Sequence, residues 1–225
     1  MLVGRQRIVM ALAGAGAVAV VGAALLLPGE QGSQAAEAAP REPVPGDPLT
    51  GAEIARAGDI ASATSRAHMA AGRVNLLYVE RDDGKDAEER RRADAYLYDY
   101  ATDRLIVRTV DLGRGTVVKE SVTRGVQPPP SKAEEVRAAE LLLADPQYGT
   151  GVREAYTRAG GGQLRSASDL GLRGLIFTPG QENGPRRCAT HRCVRLFVRL
   201  PGSTWLDTSR IVVDLSAKKI HTLEW

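Results

Sequence analysis

The chain has 225 residues, a formal net charge of +3, a charged fraction of 25% and two cysteines. That length allows one or two small domains, and the charged fraction is that of a folded chain. So small a positive charge excludes a strong pull toward nucleic acid, and two Trp, six Tyr and two Phe leave little for stacking on bases or sugars. Two cysteines exclude a disulfide-dense scaffold.

Arg5 and Arg7 precede an uncharged run rich in Ala, Val, Leu and Gly over residues 8–27, closed by Pro28-Gly29, with small residues at Ser33 and Ala35. This is the layout of a secretory signal peptide over residues 1–35. The run is also long enough to stay as a membrane anchor if it is not removed. The chain is therefore expected to be secreted or extracytoplasmic, and to meet a membrane only through that segment if it is retained. Residues 36–48, AEAAPREPVPGDP, read as a flexible Pro-rich linker.

Thr50 and Glu53 have the spacing of a capping box, and Ile54, Ala57, Ile60, Ala61 and Ala67 then share one helix face, interrupted at Thr64. Strand patterns follow over 74–80, 93–100, 104–112 and 116–122, separated by short turn-rich links that favour antiparallel hairpins. The same order begins again after Pro128-Pro129-Pro130. Ser131 and Glu134 form a second capping box, and Val136, Ala139, Leu142 and Leu143 supply a buried face that ends near Asp145-Pro146. A helical piece over 152–159 stops at Gly160-Gly161-Gly162, and strands are predicted over 174–178, 194–200, 209–215 and 219–224. Val110-Asp111-Leu112 and Val213-Asp214-Leu215 stand before matching turns. The pattern predicts an α+β protein of two tandem modules, 49–128 and 129–225, each a helix on an antiparallel sheet of about four strands. Modules so small are expected to share an interface.

Cys188 and Cys193 enclose a four-residue gap, and in an exported protein a disulfide across that loop is expected. Its short span gives it more effect on the loop than on the fold. With His191 between them the two sulfurs could instead bind a soft metal as a small metal-binding envelope protein would, but a fourth ligand is missing. His68, His191 and His221 stand at no ligand spacing from one another, and no Ser–His or paired-carboxylate arrangement can be set beside Asp99, Asp111 or Asp214. G-x-S-x-G is absent, and Gly160-Gly161-Gly162 follows a helix where a phosphate loop would precede one. No catalytic residue, cofactor or metal is expected. Tyr96, Tyr98 and Tyr100 alternate along one strand and face one side of the sheet, either as an aromatic binding surface or as packing beneath a helix or over an open sheet face.

Two stretches resemble the N-terminal, non-catalytic domains of copper-containing primary amine oxidases. The run from Val44 to Ile54, with Asp47-Pro48-Leu49-Thr50 and Glu53-Ile54, is similar to the opening of the first such domain. Gly125-Val126-Gln127-Pro128, Glu134-Glu135 and Asp145-Pro146 resemble the junction between the two domains. Val44 and Gly46 depart from the family's His and Leu. The resemblance implies a cystatin-like fold for both modules, and it implies no activity. The family's catalytic β-sandwich, its His-x-His copper pair and its Asn-Tyr-Asp/Glu quinone motif are not encoded, so no copper or quinone residue carries over. It implies instead an exported binding or structural protein with an unknown protein or envelope partner, or an accessory subunit of a separately encoded oxidase.

Overall fold

The computed structural model describes residues 41–84, 90–180 and 184–224. The expected signal peptide at 1–35, the apolar run 8–27 and the start of the linker lie outside the described residues. Helix α1 (Gly51–Ser62) begins at its predicted cap. The Thr50 hydroxyl accepts from the Glu53 N–H at 3.2 Å, and the Glu53 carboxylate accepts from the Thr50 N–H at 2.8 Å. The helix tightens to a 3₁₀ turn at Ala63–Ser65, where Thr64 breaks the apolar stripe, and resumes as α2 (Arg66–Ala70). Its buried side is only partly the predicted one, Ala57, Ile60 and Ala61 turning inward as expected. Ala57, Gly58, Ala61 and Ser62 are buried, whereas Ile54 and Ala67 are exposed. A Cβ on Gly58 would stand 2.9 Å from Leu76 Cδ2, so the small residues are those that meet the sheet.

Strands β1 (Val74–Arg81), β2 (Arg92–Asp99), β3 (Arg104–Asp111) and β4 (Thr116–Arg124) form one antiparallel sheet in chain order. Alternation gives it two different faces. Ala93, Ala95, Leu97 and Val110 pack beneath α1 with Ala57 and Ala61. Leu77, Tyr98 and Leu105 belong to a second cluster shared with the rest of the chain. The guanidinium of Arg108 reaches from this sheet to the Ala61 carbonyl and the Ser65 hydroxyl, so it satisfies acceptors left open at the end of α1.

Helix α3 (Lys132–Ala144) starts on the second capping box, with Ser131 and Glu134 exchanging the same two hydrogen bonds. Helix α4 (Gly149–Tyr156) begins three residues before the predicted piece, and a left-handed Gly160 (φ 86°) ends the wide turns that follow it. A Cβ on Gly149 would overlap the Leu143 carbonyl, so glycine lets α4 turn back against α3. Strands β5 (Gly171–Ile176), β6 (Cys193–Arg199), β7 (Trp205–Leu206), β8 (Ile211–Asp214) and β9 (Lys219–Thr222) make the second antiparallel sheet. One edge of β6 pairs with β8 at Cys193 and Val194, then with β7 at Val198 and Arg199. The two-residue β7 was not predicted because so short a strand has no period to read.

The buried side of α3 comprises Glu134, Glu135, Ala138, Ala139 and Leu142, whereas the predicted Val136 and Leu143 are only half-buried. The helix packs against β5, β6, β8 and β9 and also touches β1. A single core therefore joins Leu77, Tyr98, Tyr100 and Leu105 to Leu142, Val194, Leu196 and Val213. Residues from Glu42 onward form one unit of α+β structure, with antiparallel sheets of four and five strands. No helix among the described residues is long and apolar enough to cross a membrane.

Candidate functional site

Arg192 and Glu134 are both fully buried, and the core tolerates two such charges only because each is paired and hydrogen-bonded. Arg192 precedes β6, and its Nε and Nη2 donate to the two Glu134 oxygens at 2.8 and 2.9 Å. Its remaining donors reach the Gln127 side chain and the carbonyls of Pro128 and Pro129. Glu134 is the glutamate of the second capping box, so one carboxylate closes the helix start and holds the arginine. It also accepts from the Tyr100 hydroxyl at 2.8 Å, which brings the first sheet into the same network.

The first half repeats this arrangement. Arg91 precedes β2, and its Nε and Nη2 donate to the two oxygens of Glu53, the glutamate of the first capping box, at 2.7 and 2.8 Å. Its guanidinium also reaches the carbonyls of Val44, Pro45, Asp47 and Pro48. The linker reading stops short here, because residues 44–48 are tied to the sheet through their own carbonyls. The main chain completes the parallel: the Leu112 N–H donates to the Arg91 carbonyl at 3.0 Å, and the Leu215 N–H to the Arg192 carbonyl at 2.8 Å. Asp111 and Asp214, each one residue earlier, both accept a backbone N–H of the following turn. The two halves share one clamp. No protein-family model matches the chain, and no curated protein matches it.

Tyr96, Tyr98 and Tyr100 lie on one side of the sheet, the side turned toward the second half. Tyr98 and Tyr100 are 1% and 5% exposed, and only the half-buried Tyr96, stacked on Tyr78 at 4.5 Å, reaches the rim. The side chain of Gln127 donates to the Tyr98 hydroxyl, and the Arg192 and Arg137 guanidinium groups lie over the Tyr98 and Tyr100 rings at 5.1 and 4.9 Å. Burial raises the Tyr98 phenol to about 12, with the nearby Asp103 carboxylate acting in the same direction. Burial and Glu134 raise Tyr100 further. Both remain neutral donors, so this strip serves the junction between the halves.

Cys188 and Cys193 form a disulfide, with their Cα atoms 5.5 Å apart. Their sulfurs lie within 4.8 Å of an Asp214 carboxylate oxygen. Bonded to each other, neither sulfur is the thiolate that binds metal. His191, the third member of that sequence motif, gives its Nδ1 to Asp214 Oδ2 at 2.7 Å. The folded chain brings together what the spacing kept apart: His221 Nε2 stands 3.8 Å from the same oxygen, and His191 Nε2 stands 3.9 Å from Asp103 Oδ2. His191 faces a cleft of about 230 Å³ lined by Thr102, Asp103, Arg124, Gly125 and Thr190. The arrangement orients an imidazole through a buried carboxylate, and Nε2 has no hydroxyl or thiol partner among the described residues. His68 is exposed at the end of α2, well away in sequence from this group.

Replacing both cysteines with alanine should leave the fold intact and lower its stability by at most about 2 kcal/mol, the scale set by so short a closed loop. Urea denaturation measures this, and a titration of the native protein should find no free thiol. A loss well above that figure would mean that the disulfide holds more than its own loop.

Proposed function

We propose that the chain is an exported, non-catalytic binding or structural protein of two tandem cystatin-like modules, 49–128 and 129–225. In this reading it resembles the N-terminal domains of copper amine oxidases without their enzyme. The repeated clamp carries the reading: in each half an arginine before the second long strand grips the glutamate of the capping box and the chain entering the helix. A repeated helix-on-sheet unit explains why two distant arginines do the same work. Several of the residues behind the resemblance are ones the clamps hold, namely Val44, Pro45, Asp47 and Pro48 with Glu53, and Gln127-Pro128 with Glu134. That coincidence favours a second reading, an accessory subunit of an oxidase encoded elsewhere.

Crosslinking a tagged chain in its native host, with mass spectrometric identification of what is captured, separates the two. An oxidase catalytic chain makes this an accessory subunit, and envelope proteins make it an independent module. The purified chain supplied with copper should generate no amine-dependent peroxide. Turnover in that assay would overturn both.

A further inference from the structure

The outer face of the second sheet is covered at Cys193 and Val212 by the segment carrying Phe177 and Cys188, and is left open over β5, β7 and the rest of β6. Leu172, Val194, Leu196 and Val198 point inward and are buried, so the residues between them on β5 and β6 point outward. The pairing sets Arg173 beside Phe197, Leu175 beside Arg195, and Arg199 beside Trp205. The result is a patch in which every arginine neighbours a large apolar side chain. Trp205, Leu175 and Phe197 are 57%, 58% and 39% exposed, although burial of each would be favourable. Strands β5, β6 and β7 carry no acidic residue. Asp207, just past β7, is engaged by the N–H and hydroxyl of Ser209.

The patch also has a recess. Arg173, Arg199, Trp205 and Lys132 border a cleft of about 320 Å³. Gly171 stands opposite Arg199, where a Cβ would meet the Arg199 side chain at 3.1 Å, so the glycine leaves room for the arginine to lie across the strand. Lys132 is already held by Glu135 at 2.7 Å, which leaves Arg173 and Arg199 as the cations open to a ligand.

We infer that this face docks on an anionic phospholipid bilayer, with Trp205, Phe197 and Leu175 entering the interface and the arginines meeting the phosphates. Charge complementarity calls for an anionic partner. The alternation of guanidinium and apolar groups on one sheet face calls for a partner that is apolar immediately beneath its charge, as a bilayer is. A soluble polyanion would leave Leu175 and Phe197 without a counterpart. This docking is separate from the oxidase resemblance and from residues 8–27.

The test uses the full chain carrying Trp225→Phe, so that Trp205 is the sole indole, and vesicles whose acyl chains are brominated to quench it. Trp205 reports this face even where another segment of the chain holds it on the vesicle. Vesicles of equal phosphatidylcholine and phosphatidylglycerol should quench Trp205, and pure phosphatidylcholine should not. Arg173→Glu combined with Arg199→Glu should weaken the anionic response by about thirtyfold or more, given roughly a fivefold contribution per basic residue at such a surface. Raised salt should weaken it too. Leu175→Ser combined with Phe197→Ser, which keeps Trp205 and all three arginines, should weaken the quenching of Trp205 by anionic vesicles relative to the parent, and circular dichroism confirms that each variant is folded. Equal quenching by neutral vesicles would overturn the inference, as would a charge-reversal variant that responds like the parent. Arginine-dependent binding of heparin with Trp205 unquenched by anionic vesicles would assign the face to a soluble polyanion and also overturn it.

Discussion

Glu134→Ala should lower the stability of the folded chain by about 3–5 kcal/mol, the cost of leaving a buried arginine without its counter-ion. Arg192 is fully buried, and four of the five hydrogen bonds its guanidinium makes run to Glu134, Gln127 and Pro128 at 2.7–3.1 Å. The substitution also removes the acceptor of the Tyr100 hydroxyl and half of the second capping box. The double variant Glu134→Leu with Arg192→Met should cost much less, because a well-packed apolar pair carries no desolvation penalty. Urea denaturation of the single and double variants compares them directly. Equal losses, or a single-variant loss below about 1 kcal/mol, would mean that the buried ion pair is not what holds the start of α3 against β6.

Arg91→Ala should cost less, about 2–4 kcal/mol, because its clamp stands near the rim. The Arg91 and Glu53 side chains keep 12% and 20% of their exposure, against none for Arg192 and Glu134. The loss should come with faster proteolysis in residues 44–48, where Arg91 gathers the carbonyls of Val44, Pro45, Asp47 and Pro48 and Arg81 holds that of Gly46. This clamp also has an acid signature. The hydrogen bonds from Arg91 are the main reason the Glu53 carboxyl falls from 4.5 to about 2. Between those values the unfolded chain binds the proton and the folded one does not, so stability rises with pH there. The contribution is complete above about pH 5 and is lost as the pH falls through about 2. Screening at the rim holds it to about 1–2 kcal/mol. Glu53→Gln should flatten this part of the acid profile, and an unchanged slope would contradict the assignment.

The strands other than β7, the two capped helix starts and the antiparallel pairing were legible because they are local. A capping box spans four residues, and a hairpin is written in alternation and turn chemistry that neighbouring residues supply. The disulfide was legible for the same reason, its cysteines being five apart. The faces were less so. Periodicity placed Ile54 inside and overlooked Gly58, because the stripe records hydrophobicity and not how closely a helix can approach a sheet. On α3 it missed Glu134 and Glu135, since acidic residues read as solvent-facing until a partner is known.

What the tertiary structure alone decided are the long-range pairs. Glu53 meets Arg91 across 38 residues, Glu134 meets Arg192 across 58, and Asp214 draws in His191 from 23 away. No local spacing encodes such a pair. The repeated capping box and the repeated Val-Asp-Leu before each turn were the traces of the symmetry, and from the second an arginine could be sought upstream in each half. The tyrosine strip shows the same division. Alternation put three rings on one side of β2, and only the packing of the second half made that side interior. The sequence thus determined the local conformations, through propensity, capping and alternation. Which charges are buried, which faces stay open and which segments hold one another were settled by packing residues far apart in sequence onto a shared core, because burial and charge pairing depend on partners that no local window contains.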